Sequence, residues 1–133
     1  MKAIKRKYLE VDEILSFNKQ NNYKIERYFS DKLFNDFPKN KMNLWFDNTN
    51  NKHTEKVIIT AIYFDYSKKI EKYEVVEYKD VFNVKIPTNG ILKNNGFSIQ
   101  IITKMNTKIL WKLVFEIPSK TDFDVYILIN RAY

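Results

Sequence analysis

From Met42 onward apolar residues recur at every second position, and that period commits most of the chain to β-strands. Met42, Leu44 and Phe46 alternate with Asn43, Trp45 and Asp47, and Ile109, Trp111, Leu113, Phe115 and Ile117 fall on one face of a later run. Successive strand side chains point to opposite faces, so a period of two buries one face and leaves the other wet. Residues 57–66 are apolar at nearly every position, the pattern of a strand covered on both faces or central in a sandwich. Residues 73–78, 81–86, 97–103 and 125–130 read as further strands, with residues 47–53, 67–69, 105–107 and 118–122 as loops or turns. Both glycines of the chain follow an asparagine, at Asn89-Gly90 and Asn95-Gly96. Such dipeptides tolerate positive φ and mark tight corners. About seven strands separated by turn signals at intervals of about 8–12 residues predict an antiparallel β-sandwich, immunoglobulin-like or jelly-roll, over residues 41–133.

Residues 1–40 follow a different pattern. Ile25, Tyr28, Phe29 and Leu33 lie at i, i+3, i+4 and i+8, with Glu26, Arg27, Asp31 and Lys32 off that face. This spacing predicts an amphipathic helix over residues 24–37, ended by Pro38. A shorter helix is expected over residues 11–17, with a polar break from Asn18 to Asn22. The first 40 residues thus read as a helical N-terminal arm ahead of the sandwich.

A length of 133 residues fits one domain. Cysteine is absent, which excludes disulfides, thiolate catalysis and cysteine-based metal sites. His53 is the single histidine, too few for an ordinary transition-metal site, and two glycines exclude a glycine-rich phosphate loop. The chain carries a formal +7, but 20 of its 23 basic residues are lysine and only Arg6, Arg27 and Arg131 are arginine. Residues 1–56 hold 12 basic and 8 acidic side chains and residues 57–133 hold 11 and 8, so the excess is spread evenly. With 15 asparagines beside those lysines, AT-rich codon usage explains the balance better than a polyanion surface. The basic cluster Lys2, Lys5, Arg6 and Lys7 leads into Glu10, Asp12 and Glu13 rather than a signal sequence, and no apolar run has membrane-spanning length. A soluble protein made in a reducing cytoplasm, or one assembled into something larger, is expected.

The carboxylate pairs Asp12 with Glu13, Glu74 with Glu77, and Asp122 with Asp124 read as solvated acids. Asp122 and Asp124 flank Phe123 and would point the same way on a strand. Lys112 and Glu116 share a strand without the order of a metal-dependent nuclease. No catalytic residue, cofactor or metal is expected. Tyr63, Phe64, Tyr66, Tyr73 and Tyr78 interleave with Lys68, Lys69, Lys72 and Lys79. Cross-strand packing is the favoured reading of these tyrosines. The alternative is a small nucleic-acid-binding protein, with Tyr66 and Tyr73 stacking on bases beside Lys68, Lys69 and Lys72.

Residues 82–101 run Phe-Asn-Val-Lys-Ile-Pro-Thr-Asn-Gly-Ile-Leu-Lys-Asn-Asn-Gly-Phe-Ser-Ile-Gln-Ile. Through Ile86-Pro87, Leu92-Lys93 and Gly96, this stretch resembles the strand, proline, glycine and strand signature of β-sandwich modules in phage upper-baseplate and tail-fibre-attachment proteins. The resemblance implies a non-enzymatic virion protein of a phage with an AT-rich genome: capsid-associated, collar, tail or baseplate adaptor. It would be made in the host cytoplasm and bind other virion proteins in many copies or as a homo-oligomer. The expected contact residues are Lys2, Lys5, Arg6 and Lys7, with Tyr28, Phe29 and Leu33 on the arm helix.

Overall fold

A computed structural model describes residues 6–10, 12–29, 41–48, 54–65, 76–86, 97–100 and 108–130. Its strands are β1 (Asp12–Phe17), β2 (Lys24–Tyr28), β3 (Lys41–Asp47), β4 (Glu55–Asp65), β5 (Val76–Ile86), β6 (Phe97–Gln100), β7 (Lys108–Glu116) and β8 (Phe123–Asn130). They form two antiparallel sheets, ordered β1-β8-β3-β6 and β2-β7-β4-β5. Among the described residues the one helical element is a 3₁₀ turn at Lys19–Asn21, so no helix there is long and apolar enough to cross a membrane.

The pairings have a simple rule. β1 pairs with β8, β2 with β7, β3 with β6 and β4 with β5. The chain is thus one long hairpin whose successive rungs fall in alternate sheets. The β3·β8 and β4·β7 pairs complete each sheet. Between the sheets lies one apolar core. Phe17, Phe46, Phe115, Phe123, Leu15, Met42 and Leu44 are its largest fully buried side chains, together with Tyr63 and three isoleucines, Ile59, Ile86 and Ile99.

The expected helical arm is corrected. Residues 12–17 and 24–28 are edge strands, one in each sheet, and Leu15, Phe17 and Ile25 enter the core. Leu15 and Phe17 alternate with exposed Ser16, a strand period. At β2 the spacing of Ile25, Tyr28 and Phe29 fits a helix, but Ile25 and Arg27 face inward and Tyr28 outward because the strand is registered on β7. Backbone pairing and core contact override a weak helical period. Residues 30–37 of that predicted helix lie outside the described residues, as does Pro38.

The polar break is well built. The Asn18 side chain accepts from the Asn21 amide at 3.2 Å, while the Asn18 amide donates to Asn21 Oδ1 at 3.0 Å. Asn22 and Tyr23 then take φ of 56° and 57° to reverse the chain into β2. For tyrosine this left-handed backbone is unusual. It is held by its amide donating to Asn18 O at 2.9 Å and by Tyr23 O accepting from the Ile117 amide at 3.0 Å. Strands β3 and β7 fall where the alternation put them, β4 falls on the nearly continuous apolar run and β8 on the last expected strand, and β5 merges the last part of one expected strand with the next. Both Asn-Gly corners lie outside the described residues.

Candidate interaction faces

The alternation fails once in β7, and the failure builds a surface cluster. Ile62 pairs with Lys112 and Tyr63 with Leu110, so Trp111 is an extra residue, a β-bulge. A bulge re-aims the side chains around it. Trp111 leaves the inward face expected for it, Leu110 takes the core position, and both Trp111 and Lys112 reach Tyr28. The Tyr28 and Trp111 rings meet edge to face, 5.5 Å between centroids. Lys112 Nζ lies 4.3 Å from the Trp111 ring and 2.9 Å from Glu26 Oε1.

Residues 7–9 run along the free edge of β2. The Leu9 amide donates to Tyr28 O at 2.8 Å and the Tyr28 amide to Lys7 O at 2.9 Å, a short parallel bridge that covers an otherwise open edge. Leu9 turns into the core, while Tyr8 stays outside with its ring 6.3 Å from Tyr28. The Arg6 guanidinium lies 5.0 Å from the Tyr28 ring. The Lys112 ammonium, hydrogen-bonded to Glu26, holds that carboxyl below its ordinary range, with the Tyr28 hydroxyl assisting. The same hydrogen bond to Glu26 raises the Tyr28 hydroxyl, with burial second.

Across the rest of this sheet, the outward positions run in register as Lys24, Glu116, Ile58 and Asn83; Glu26, Val114, Thr60 and Val81; Tyr28, Lys112, Ile62 and Lys79. Lys56 and Lys85 pair at the end of β4 and β5. Val81 is 57% exposed, opposite Thr60 and between Lys79 and Asn83 on the outward row of β5.

The outer face of the other sheet differs in chemistry. Asp12 is opposite Leu128, which is opposite Trp45; Ile14 is opposite Tyr126, which is opposite Asp47; Ser16 is opposite Asp124. Ile14 is 62% exposed at the edge of this face. The Tyr126 hydroxyl donates to Asp12, which raises it above its ordinary value, with burial second and the Asp12 and Asp47 charges adding. Trp45 Nε1 is buried without a hydrogen-bond partner.

Of the expected contact residues, the structure brings Arg6 and Tyr28 together and uses Lys7 through its carbonyl. Phe29 is partly buried against the core. Lys2, Lys5 and Leu33 lie outside the described residues, as do Tyr66, Lys68, Lys69, Lys72, Tyr73 and His53. Tyr63 is core. The sequence pattern did not single out Tyr8, Ile14 or Tyr126, and it raised Lys112 only beside Glu116. Their signal was the wet half of each strand's alternation.

Asp122 accepts from the Tyr23 hydroxyl, whereas Asp124 stands opposite Ser16 on the outer sheet face. Burial, the larger cause, and Asp122 both raise Tyr23. Glu55 accepts from Ser119 Oγ at 2.7 Å beside a pocket lined by Thr54, Lys56, Asn83 and Lys85. Among the described residues no three acids or histidines converge as a metal site. The chain matches no protein-family model, no curated protein and no solved structure.

Proposed function

We propose that the sandwich is a jelly roll serving as a non-enzymatic structural protein of a phage virion, an adaptor that works through protein–protein contacts in a multi-copy assembly. The observation that carries this reading is the pairing order. A hairpin pairing first strand with last, through to the fourth with the fifth, and rolled into two four-stranded sheets is the jelly-roll winding, one used by viral capsid proteins, lectins and cupins. Fold alone does not choose among these. A cupin holding its metal on several histidines needs residues that a chain with one histidine does not have. Exposed Ile14, beside Asp12, and exposed Val81, beside Lys79, suit docking to protein. The resemblance of residues 82–101 to phage adaptor modules points the same way.

The contacts are assigned to the sheet faces and to the Arg6, Tyr8, Tyr28 and Trp111 cluster, because residues 12–28 are built into the sandwich. Mass spectrometry of purified particles from the encoding host tests the reading. Recovery of the chain in several copies per particle supports it, and recovery only in the soluble fraction overturns it. The alternative, binding of single-stranded nucleic acid near the β4–β5 lysines, predicts affinity that falls steeply with salt.

A further inference from the structure

We infer that the two outer sheet faces are two halves of one interface, and that a second copy of this chain seats its acidic face on the basic face of the first. This deepens the assembly reading above and rests on it for the choice of a like chain as partner. On the β2-β7-β4-β5 sheet the outward side chains include Lys24, Lys56, Lys79, Lys85 and Lys112 against Glu26 and Glu116. On the β1-β8-β3-β6 sheet they include Asp12, Asp47 and Asp124, with one lysine, Lys41, at an outward register position where β3 begins. Each face also carries apolar side chains that a lone molecule leaves in water, Ile14 at 62% exposure on one and Val81 at 57% on the other. Opposite potentials around apolar patches are the ordinary form of a specific interface.

The geometry decides the symmetry. The faces lie on opposite sides of a two-sheet sandwich, so one copy cannot satisfy both within itself. Pairing like face with like would set carboxylates against carboxylates, or lysines against lysines, which costs energy. A polyanion would fit the basic face alone and leave the acidic face, with Ile14, uncovered. Head-to-tail stacking remains, and a heterologous contact repeats into a ring or filament. From strand spacing and rise, one face offers on the order of 400 Å². That is below the roughly 800 Å² per partner of a stable pair, so each contact is weak, and strength comes only from closing a ring or from anchoring several copies on a larger assembly.

The test uses the full chain and two variants, Lys79→Glu/Lys85→Glu and Asp12→Lys/Asp124→Lys, each confirmed as folded by its thermal melt. Sedimentation velocity of the wild type at low salt should show mass rising with concentration up to about 1 mM, the range of weak contacts. Each variant alone should lose that rise. Their equimolar mixture should regain association, because the altered faces now carry exchanged charges and the unaltered faces still match. Ile14→Arg supplies a check that leaves every acidic residue in place, and it too should weaken association by about tenfold or more. A wild type that stays monomeric throughout, or variants that associate as the wild type does, overturns the inference. Failure here leaves particle recovery intact as a test of the virion reading, so the two fail separately.

Discussion

Arg27 Nε lies 2.7 Å from Glu13 Oε1, a nearly buried ion pair that joins the edge strand of one sheet to the edge strand of the other. Arg27 also donates through Nη1 to Glu26 O at 3.0 Å, so its guanidinium is oriented from its own strand. Both partners point inward at the end of the sandwich where β1 meets β2. Removing one partner strands a charge in a poorly hydrated place. Glu13→Ala should therefore lower stability by about 1–3 kcal/mol. The double variant Glu13→Leu/Arg27→Met should recover most of that. Urea unfolding of the four species gives the answer, and an undiminished Glu13→Ala midpoint would show the pair to be idle.

Because β1 and β2 are edge strands of the sandwich, deletion of residues 1–28 should abolish cooperative unfolding altogether. Deletion of residues 1–5 should leave it intact. Phe17→Ala, which empties a fully buried ring position in β1, should cost about 3–5 kcal/mol. A thermal melt by circular dichroism reads all three. A folded 29–133 fragment would mean that the N-terminal segment is an arm after all.

Three tyrosines, Tyr23, Tyr28 and Tyr126, hold their protons above the ordinary value of 10.0. Protonation is favoured more in the folded than in the unfolded chain. Their stabilising contribution is then fully present below about pH 10 and lost as pH rises through the folded values. Glu26 has the opposite sign: held below its ordinary 4.5, it contributes above that pH and loses the contribution as pH falls through its folded value. Ultraviolet titration should show part of the nine tyrosines ionising late. Replacing Asp12 with Asn should bring Tyr126 back toward the others, and an unchanged titration curve would remove the Asp12 hydrogen bond from the account.

The Tyr28 ring is shared by Arg6, Tyr8, Trp111 and Lys112, so Tyr28→Ala should loosen residues 6–9 while the backbone bridge remains available. Amide exchange at Leu9, whose N–H donates to Tyr28 O, should speed up by about tenfold. Exchange within the core strands should stay as it is. Equal acceleration everywhere would instead report global destabilisation.

The sandwich was legible because its period-two signal comes from burial on one side of each strand, and burial is what fixes β3, β4, β7 and β8. The N-terminal error has a physical cause. Ile25, Tyr28 and Phe29 sit at helical spacing, but Tyr28 is apolar surface on an outward face and Phe29 packs just past the strand end. Local spacing cannot see that the partner of β2 is β7, with Lys24 opposite Glu116 far along the chain. Trp111 escaped for a related reason. A bulge is specified by the register of the neighbouring strand, and nothing in Ile109 to Ile117 itself announces it. The two charged faces were hidden for the same reason, since Asp12, Asp47 and Asp124 become neighbours only once β1, β8 and β3 are side by side.

Head-to-tail stacking of copies is most directly tested by zero-length carbodiimide cross-linking of a mixture of light and heavy isotope-labelled chains. Within one molecule the lysines of β5 and the acids of β1 and β8 are on opposite outer faces, with two sheets about 10 Å apart between them. Mixed light–heavy peptides should join Lys79 or Lys85 to Asp12 or Asp124. Mixed links confined to other sites, or no mixed links at concentrations approaching 1 mM, would contradict it.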